Sequence, residues 1–158
     1  MKSILVIGLM FTVLISNAQT DLKLSKYRKQ LEVTVNELSG DIDYVIPKGY
    51  NKQVQFRKTT SGTYYMCIEQ SSSSIFTGTG VTLYFEDGSK IEKPKQKVDY
   101  RLNTRSNTFD HNAWLRLTDE EWEQVKTSNL KGIKMYVFDI IIKKPEKIRA
   151  HANIIREN

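Results

Sequence analysis

A mainly β (α+β) fold is predicted: an antiparallel β-sheet or sandwich of about eight strands, with one short capped helix and a C-terminal helix. Three observations carry this. Apolar residues alternate with polar ones at a period of two through most of the chain, and β-branched and aromatic side chains fill the apolar positions. The pair Asp87-Gly88 stands between two such segments, where a hairpin needs residues that tolerate positive φ. A capping-box pattern, Thr118 with Glu121, marks one helix start.

The elements follow in order. "KQLEVTVNEL" alternates Leu31, Val33 and Val35, and "DIDYVIP" alternates Ile42, Tyr44 and Ile46 before Pro47 stops it. "KQVQFRKT" places Val54 and Phe56 on one face, and Ser61-Gly62 reverses the chain. "TYYMCIEQ" sets Tyr64, Met66 and Ile68 against Tyr65 and Cys67. "SSSSIFTGTG", residues 71–80, breaks the pattern and is expected to be a mobile loop. "VTLYFEDGSKIEKP" resumes it with Val81, Leu83 and Phe85, a type I′ turn at Asp87-Gly88, then Ile91, with Pro94 as the expected end. "KVDYRLN" carries Val98, Tyr100 and Leu102, and "FDHNAWLRL" carries Phe109, His111, Ala113, Leu115 and Leu117.

In "LTDEEWEQVK", Thr118 is the N-cap, and Leu117 and Trp122 have the spacing of a hydrophobic staple. Asp119, Glu120 and Glu121 suit the positive end of the helix dipole. "GIKMYVFDIII" is apolar on both faces and is expected as one central strand. In "KPEKIRAHANIIREN", Pro145 suits a first helical position. Ile148, His151, Ala152 and Ile155 form a helical stripe, although Ile148, Ala150, Ala152 and Ile154 also fit a strand. Residues 19–158 are expected to form a single β-rich domain.

The first 18 residues read as a cleaved signal peptide. Lys2 is followed by an apolar run, Ile4 to Ile15, then Ser16 and Ala18 as small cleavage-site residues. A run of 12 residues falls short of the roughly 20 needed to span a bilayer. The mature form is therefore expected in the periplasm or secreted, and not membrane-spanning. Formal net charge is +6 over 158 residues, with lysines spread through the chain, which favours a solvated basic surface over an acidic-polymer or membrane-surface site, and an exported protein rarely meets nucleic acid. Cys67 is the single cysteine and sits in a strand pattern, so it is expected as a buried thiol with no intramolecular disulfide.

No constellation of catalytic, cofactor-binding or metal-binding residues emerges. Triad chemistry needs a base beside a nucleophile, and His111 and His151 both lie on apolar faces, as packed histidines do. Zinc would need four nitrogen or sulfur ligands, while Cys67, His111 and His151 are the whole stock. Asp110-His111 would face apart in a strand, and Asp41 and Asp43 lack calcium-loop spacing. The Gly-x-Gly of Gly78 and Gly80 lacks a third glycine, since position 83 is Leu83, and no helix follows. Glu86 and Asp87 belong to the turn. Glu120, Glu121 and Glu123 suit a helix start. Asp139, inside "MYVFDIII", where an unpaired charge would be costly, is expected as a carboxylate near a strand end or at a bulge that holds a backbone amide or a basic side chain, in preference to a pKa-shifted functional acid. Tyr65, Tyr84, Trp114, Arg101 and Arg116 sit on the less apolar strand faces and would form a flat aromatic–basic surface for sugar or peptide if their strands were neighbours.

The segments "SNAQT" at residues 16–20, "FEDG" (Phe85 to Gly88), "LTDEE" (Leu117 to Glu121) and "IKMYVFD" (Ile133 to Asp139) together resemble small exported proteins of Bacteroidota. The resemblance carries no catalytic motif and implies a shared fold. The leading expectation is a non-enzymatic envelope protein that binds a protein or glycan partner through a sheet face or edge. The alternatives are an envelope hydrolase using a buried acid such as Asp139, or an inhibitor or immunity-type protein acting through the 71–80 loop.

Overall fold

The computed structural model describes residue 25 and residues 27–35, 42–46 and 53–157; the expected signal peptide and the Pro47 strand stop lie outside these. The elements are β1 (Glu32–Val35), β2 (Ile42–Ile46), β3 (Val54–Thr59), β4 (Tyr64–Ser72), β5 (Gly78–Phe85), β6 (Lys90–Asn103), β7 (Thr108–Leu117), α1 (Asp119–Thr127), β8 (Leu130–Met135), β9 (Phe138–Ile141) and α2 (Pro145–Glu157). The strands form one nine-stranded sheet in the order β1-β2-β3-β4-β7-β6-β5-β8-β9, and each described pairing is antiparallel.

Alternation decides which side of the sheet is dry. Ile46, Phe56, Met66 and Leu115 line up across four strands in one row, each 0 % exposed. Both helices contribute to the core on that face. Trp122 of α1 is fully buried, edge-on to Phe56 and stacked on Tyr64 with ring centroids 4.6 Å apart. From α2, the stripe Ile148, His151, Ala152 and Ile155 is buried as helical spacing requires, joined by Ile154. The helix start is closed as its sequence predicts. Glu121 N–H donates to Thr118 Oγ1 and Thr118 N–H donates to the Glu121 carboxylate, each satisfying a helix-end donor.

Four expectations are corrected. First, "GIKMYVFDIII" is not one central strand but the β8–β9 hairpin at an edge of the sheet. Its two-residue turn, Tyr136-Val137, shifts the alternation by one. Ile133 and Met135 therefore face the core from odd positions, and Ile140 with Phe138 from even ones. A folded-back strand thus reads as apolar on both faces.

Second, Pro94 does not end a strand. Thr79 pairs with Lys97 but Val81 with Lys93, so Pro94, Lys95 and Gln96 bulge out of the ladder, where a missing N–H costs little. Opposite them, Gly80 takes a φ of +107°, and its carbonyl accepts from Tyr136 N–H at 2.9 Å.

Third, the Asp87-Gly88 turn is not type I′, because only Gly88 has positive φ (+85°). Gly88 N–H donates to Phe85 O and Phe85 N–H donates to Ser89 O, the pattern of a three-residue loop ending in a glycine bulge.

Fourth, half of the 71–80 segment is strand. Ser71 and Ser72 extend β4 and Gly78 to Gly80 begin β5, leaving 73–77 as the connection.

Candidate functional site: the helix-free face and a fork in the sheet

The face opposite the helices carries a built surface. Register places Arg57, Tyr65 and Arg116 in one cross-strand row, and Gln55, Cys67 and Trp114 in the next. Glu69, Asn112 and Asp99 follow, then Ser71, Asp110 and Arg101. Trp114 is 39 % exposed, with Tyr65 half-buried beside it. Cys67 is a buried strand thiol, as expected from its pattern.

Ion pairs organise the charges. Arg57 donates to Asp43 at 2.5 Å. Arg101 lies between Glu69 (3.8 Å) and Asp110 (3.7 Å). Asp110 is 3 % exposed, and it accepts from Ser71 Oγ at 2.6 Å and Asn103 Nδ2 at 3.1 Å, so this buried carboxylate is saturated by hydrogen bonds. Arg116 is exposed and makes no ion pair among the described residues.

Four of the five residues expected to share an aromatic–basic surface are thereby brought together: Tyr65, Trp114, Arg101 and Arg116. Tyr84 is not among them. It pairs with Lys90 at the start of β6, whereas Arg101 lies near the other end, roughly 30 Å along the strand. Arg57 and Asp43 were missed, because their place on this face depends on β2 and β3 joining the sheet beside β4.

A cleft adjoins this face. β6 pairs with β5 through its first part and with β7 only from Asp99 to Asn103. Beyond Asp99 and Asn112 the two strands part, and the fork opens a cleft of about 660 Å³. Ser61 and Thr63 line it from the β3–β4 turn, Lys93 from β6, Arg116 from β7, and Asp119 and Glu120 from α1. Lys93 Nζ grips both oxygens of Glu121, at 2.6 and 2.7 Å, and so ties β6 to the helix start. These side chains come from three separated segments, 61–64, Lys93 and 116–120, and no spacing in the sequence pairs one segment with another.

The remaining candidates fall elsewhere. Asp139 sits near the start of β9 and holds a basic side chain, as expected: Lys134 lies opposite, its Nζ 3.1 Å away; with its side chain 78 % exposed it is not the buried acid that the hydrolase alternative requires. Glu86 and Asp87 serve the turn. Asn129 Nδ2 donates to Glu86, Ser128 Oγ and Ser89 donate to Asp87, and the Ser89 bonds hold the Asp87 carboxyl below its ordinary range.

His111 is buried on the helix-covered face, where its Nε2 accepts from Phe76 N–H at 3.0 Å. His151 is buried against Tyr27 and lies 2.8 Å from Gln30 Oε1, with burial, and secondarily Lys147, pushing its pKa down to about 4. Among the described residues, no group of three or more potential metal ligands occurs, and no helix is long and apolar enough to cross a membrane. Comparison with protein families, curated proteins and solved structures gave no match.

Proposed function

We propose that this is an exported, non-enzymatic binding protein of the bacterial envelope, and that it holds a protein partner on the helix-free face. One observation carries the reading. Lysines outnumber arginines by 17 to 7, yet the outward paired positions of β3, β4, β7 and residues 99–103 of β6 carry three arginines (Arg57, Arg101 and Arg116), Tyr65 and Trp114, while lysines of this side of the sheet, such as Lys97 beside Asp99, lie on the adjoining stretch towards β5. Arginine, tyrosine and tryptophan are the residues enriched at interface hot spots, while lysine is depleted there. Arginine also binds carboxylates through two parallel bonds, which a lysine ammonium does not.

Geometry sets the partner's shape. Five strands about 4.8 Å apart and four rows about 6.6 Å apart give a plane of roughly 20 Å by 20 Å. That is about half of the ~800 Å² each side of a standard interface buries. The partner therefore also enters the fork cleft, and a carboxylate on it would meet Arg116, which both surfaces share.

The test is site-specific photo-cross-linking in the native envelope. A photoreactive residue replacing Trp114 should give one discrete cross-linked species, and the same group at Tyr84 should give none. Arg116→Ala should weaken that cross-link at least five-fold, in line with the more than ~1 kcal/mol a hot-spot residue contributes. Equal labelling from Trp114 and Tyr84, or indifference to Arg116→Ala, would overturn the proposal.

A further inference from the structure

We propose that the 73–77 connection is a lid closed over a second binding site, centred on His111, that takes an aromatic side chain of a peptide, and that Phe76 is its resident occupant. His111 and Trp114 face opposite sides of β7, so this inference stands apart from the interface above.

The connection is held by little. Ser73, Ser74, Ile75 and Thr77 are exposed, and Phe76 alone is half-buried. Ser72 and Ser74 bond to each other within the segment. Among the described residues, the hydrogen bond that ties 73–77 to another element is Phe76 N–H to His111 Nε2. The Phe76 ring adds two contacts, its centroid 5.8 Å from the imidazole and 5.6 Å from Phe138 in a T-shaped arrangement. One side chain and one amide therefore decide whether the lid is shut.

What lies beneath has the makings of a site. The His111 imidazole forms the floor, with Phe138 at 4.9 Å and Tyr100 at 6.2 Å as walls. Tyr100, Leu102 and Ile75 are exposed around it although they are large and apolar. His111 itself is 0 % exposed, and its Nδ1 has no hydrogen-bond partner. Because Nε2 accepts from Phe76, Nδ1 carries the proton of the neutral ring, and a buried donor is left unmatched.

The occupant shows what fits. Phe76 offers a phenyl ring to Phe138 and an amide N–H to Nε2, and it supplies no acceptor for Nδ1–H. A phenylalanyl peptide brings the same ring and N–H, together with carbonyl groups that can accept from Nδ1. It can therefore outbid the lid, at a cost equal to opening it. The occupant is thus a peptide aromatic residue rather than a plain hydrocarbon, because both imidazole nitrogens need partners.

The probe is N-acetyl-L-phenylalaninamide, titrated while the His111 imidazole nitrogens are followed by NMR. Phe76→Ala empties the site and should bind the probe at least ten-fold more tightly than the parent protein. Adding His111→Leu to that variant should abolish binding while circular dichroism shows the fold intact. Thr77→Gly loosens the lid without emptying the site, and should bind with intermediate affinity. If folded Phe76→Ala binds no better than the parent, or His111→Leu leaves binding unchanged, the inference fails. If Phe76→Ala does not fold, Thr77→Gly decides, and an affinity equal to the parent's overturns it.

Discussion

Acidification should weaken the packing of α2 through His151. The imidazole is 0 % exposed, lies edge-on to Tyr27, and sits 2.8 Å from Gln30 Oε1. A glutamine oxygen only accepts, so Nε2 carries the proton of the neutral ring and Nδ1 is bare, buried and unpartnered. Protonation places a cation there with nothing to solvate it, and Lys147, one turn earlier on the helix, adds repulsion.

The folded state holds the pKa at about 4 against an ordinary 6.5. The folded protein thus binds fewer protons than the unfolded chain between these values. The stabilisation from a neutral His151 is complete above 6.5 and is lost as pH falls towards 4. A gap of about 2.5 pH units at 1.36 kcal/mol each makes the loss about 3 kcal/mol. For a domain of this size, that is a fall in Tm of about 10 °C.

The assay is thermal unfolding from pH 7.5 to 4, comparing the protein with His151→Gln. The variant can still donate to Gln30 but does not titrate. Carboxylates and His111 are common to both proteins, so the difference between the two curves isolates His151. The gap should open below pH 6.5 with the variant the more acid-resistant. Parallel curves would show that the ring is solvated or paired when charged, and would refute the reasoning.

Two further outcomes are expected from the edge hairpin. A Cβ built on Gly78 would lie 2.4 Å from the Tyr136 ring, so Gly78→Ala must expel that ring and should cost about 1–3 kcal/mol by urea denaturation. Tyr136 itself holds a φ of +52°, so Tyr136→Gly removes both the clash and the backbone strain, and should recover most of the loss in the double variant. Asp139→Asn should change stability by no more than about 1 kcal/mol, because it breaks an exposed pair with Lys134 on an edge strand; a loss of several kcal/mol would mean the carboxylate is held in a way its exposure does not show.

Local chemistry was legible in the chain wherever neighbours in sequence are also neighbours in space. Period-two alternation identified the inward faces of β3, β4, β5 and β7, down to Phe56, Met66, Leu83 and Leu115. The Thr118–Glu121 box closes a helix start within four residues, and the α2 stripe repeats within two turns, so both could be read directly. The β8–β9 hairpin was hidden because Tyr136 adopts positive φ without a glycine to announce it. The bulge at Pro94 was hidden because its cause is across the sheet, in the paired Thr79 and Val81.

Site geometry belongs to tertiary structure for the same reason. Whether Arg57, Tyr65 and Arg116 share a row depends on strand order and register, and those are set by contacts tens of residues apart. The fork cleft exists because β6 changes partner midway, from β5 to β7. The chain's alternation determined which residues turn outward; only the folded sheet decided which of them meet.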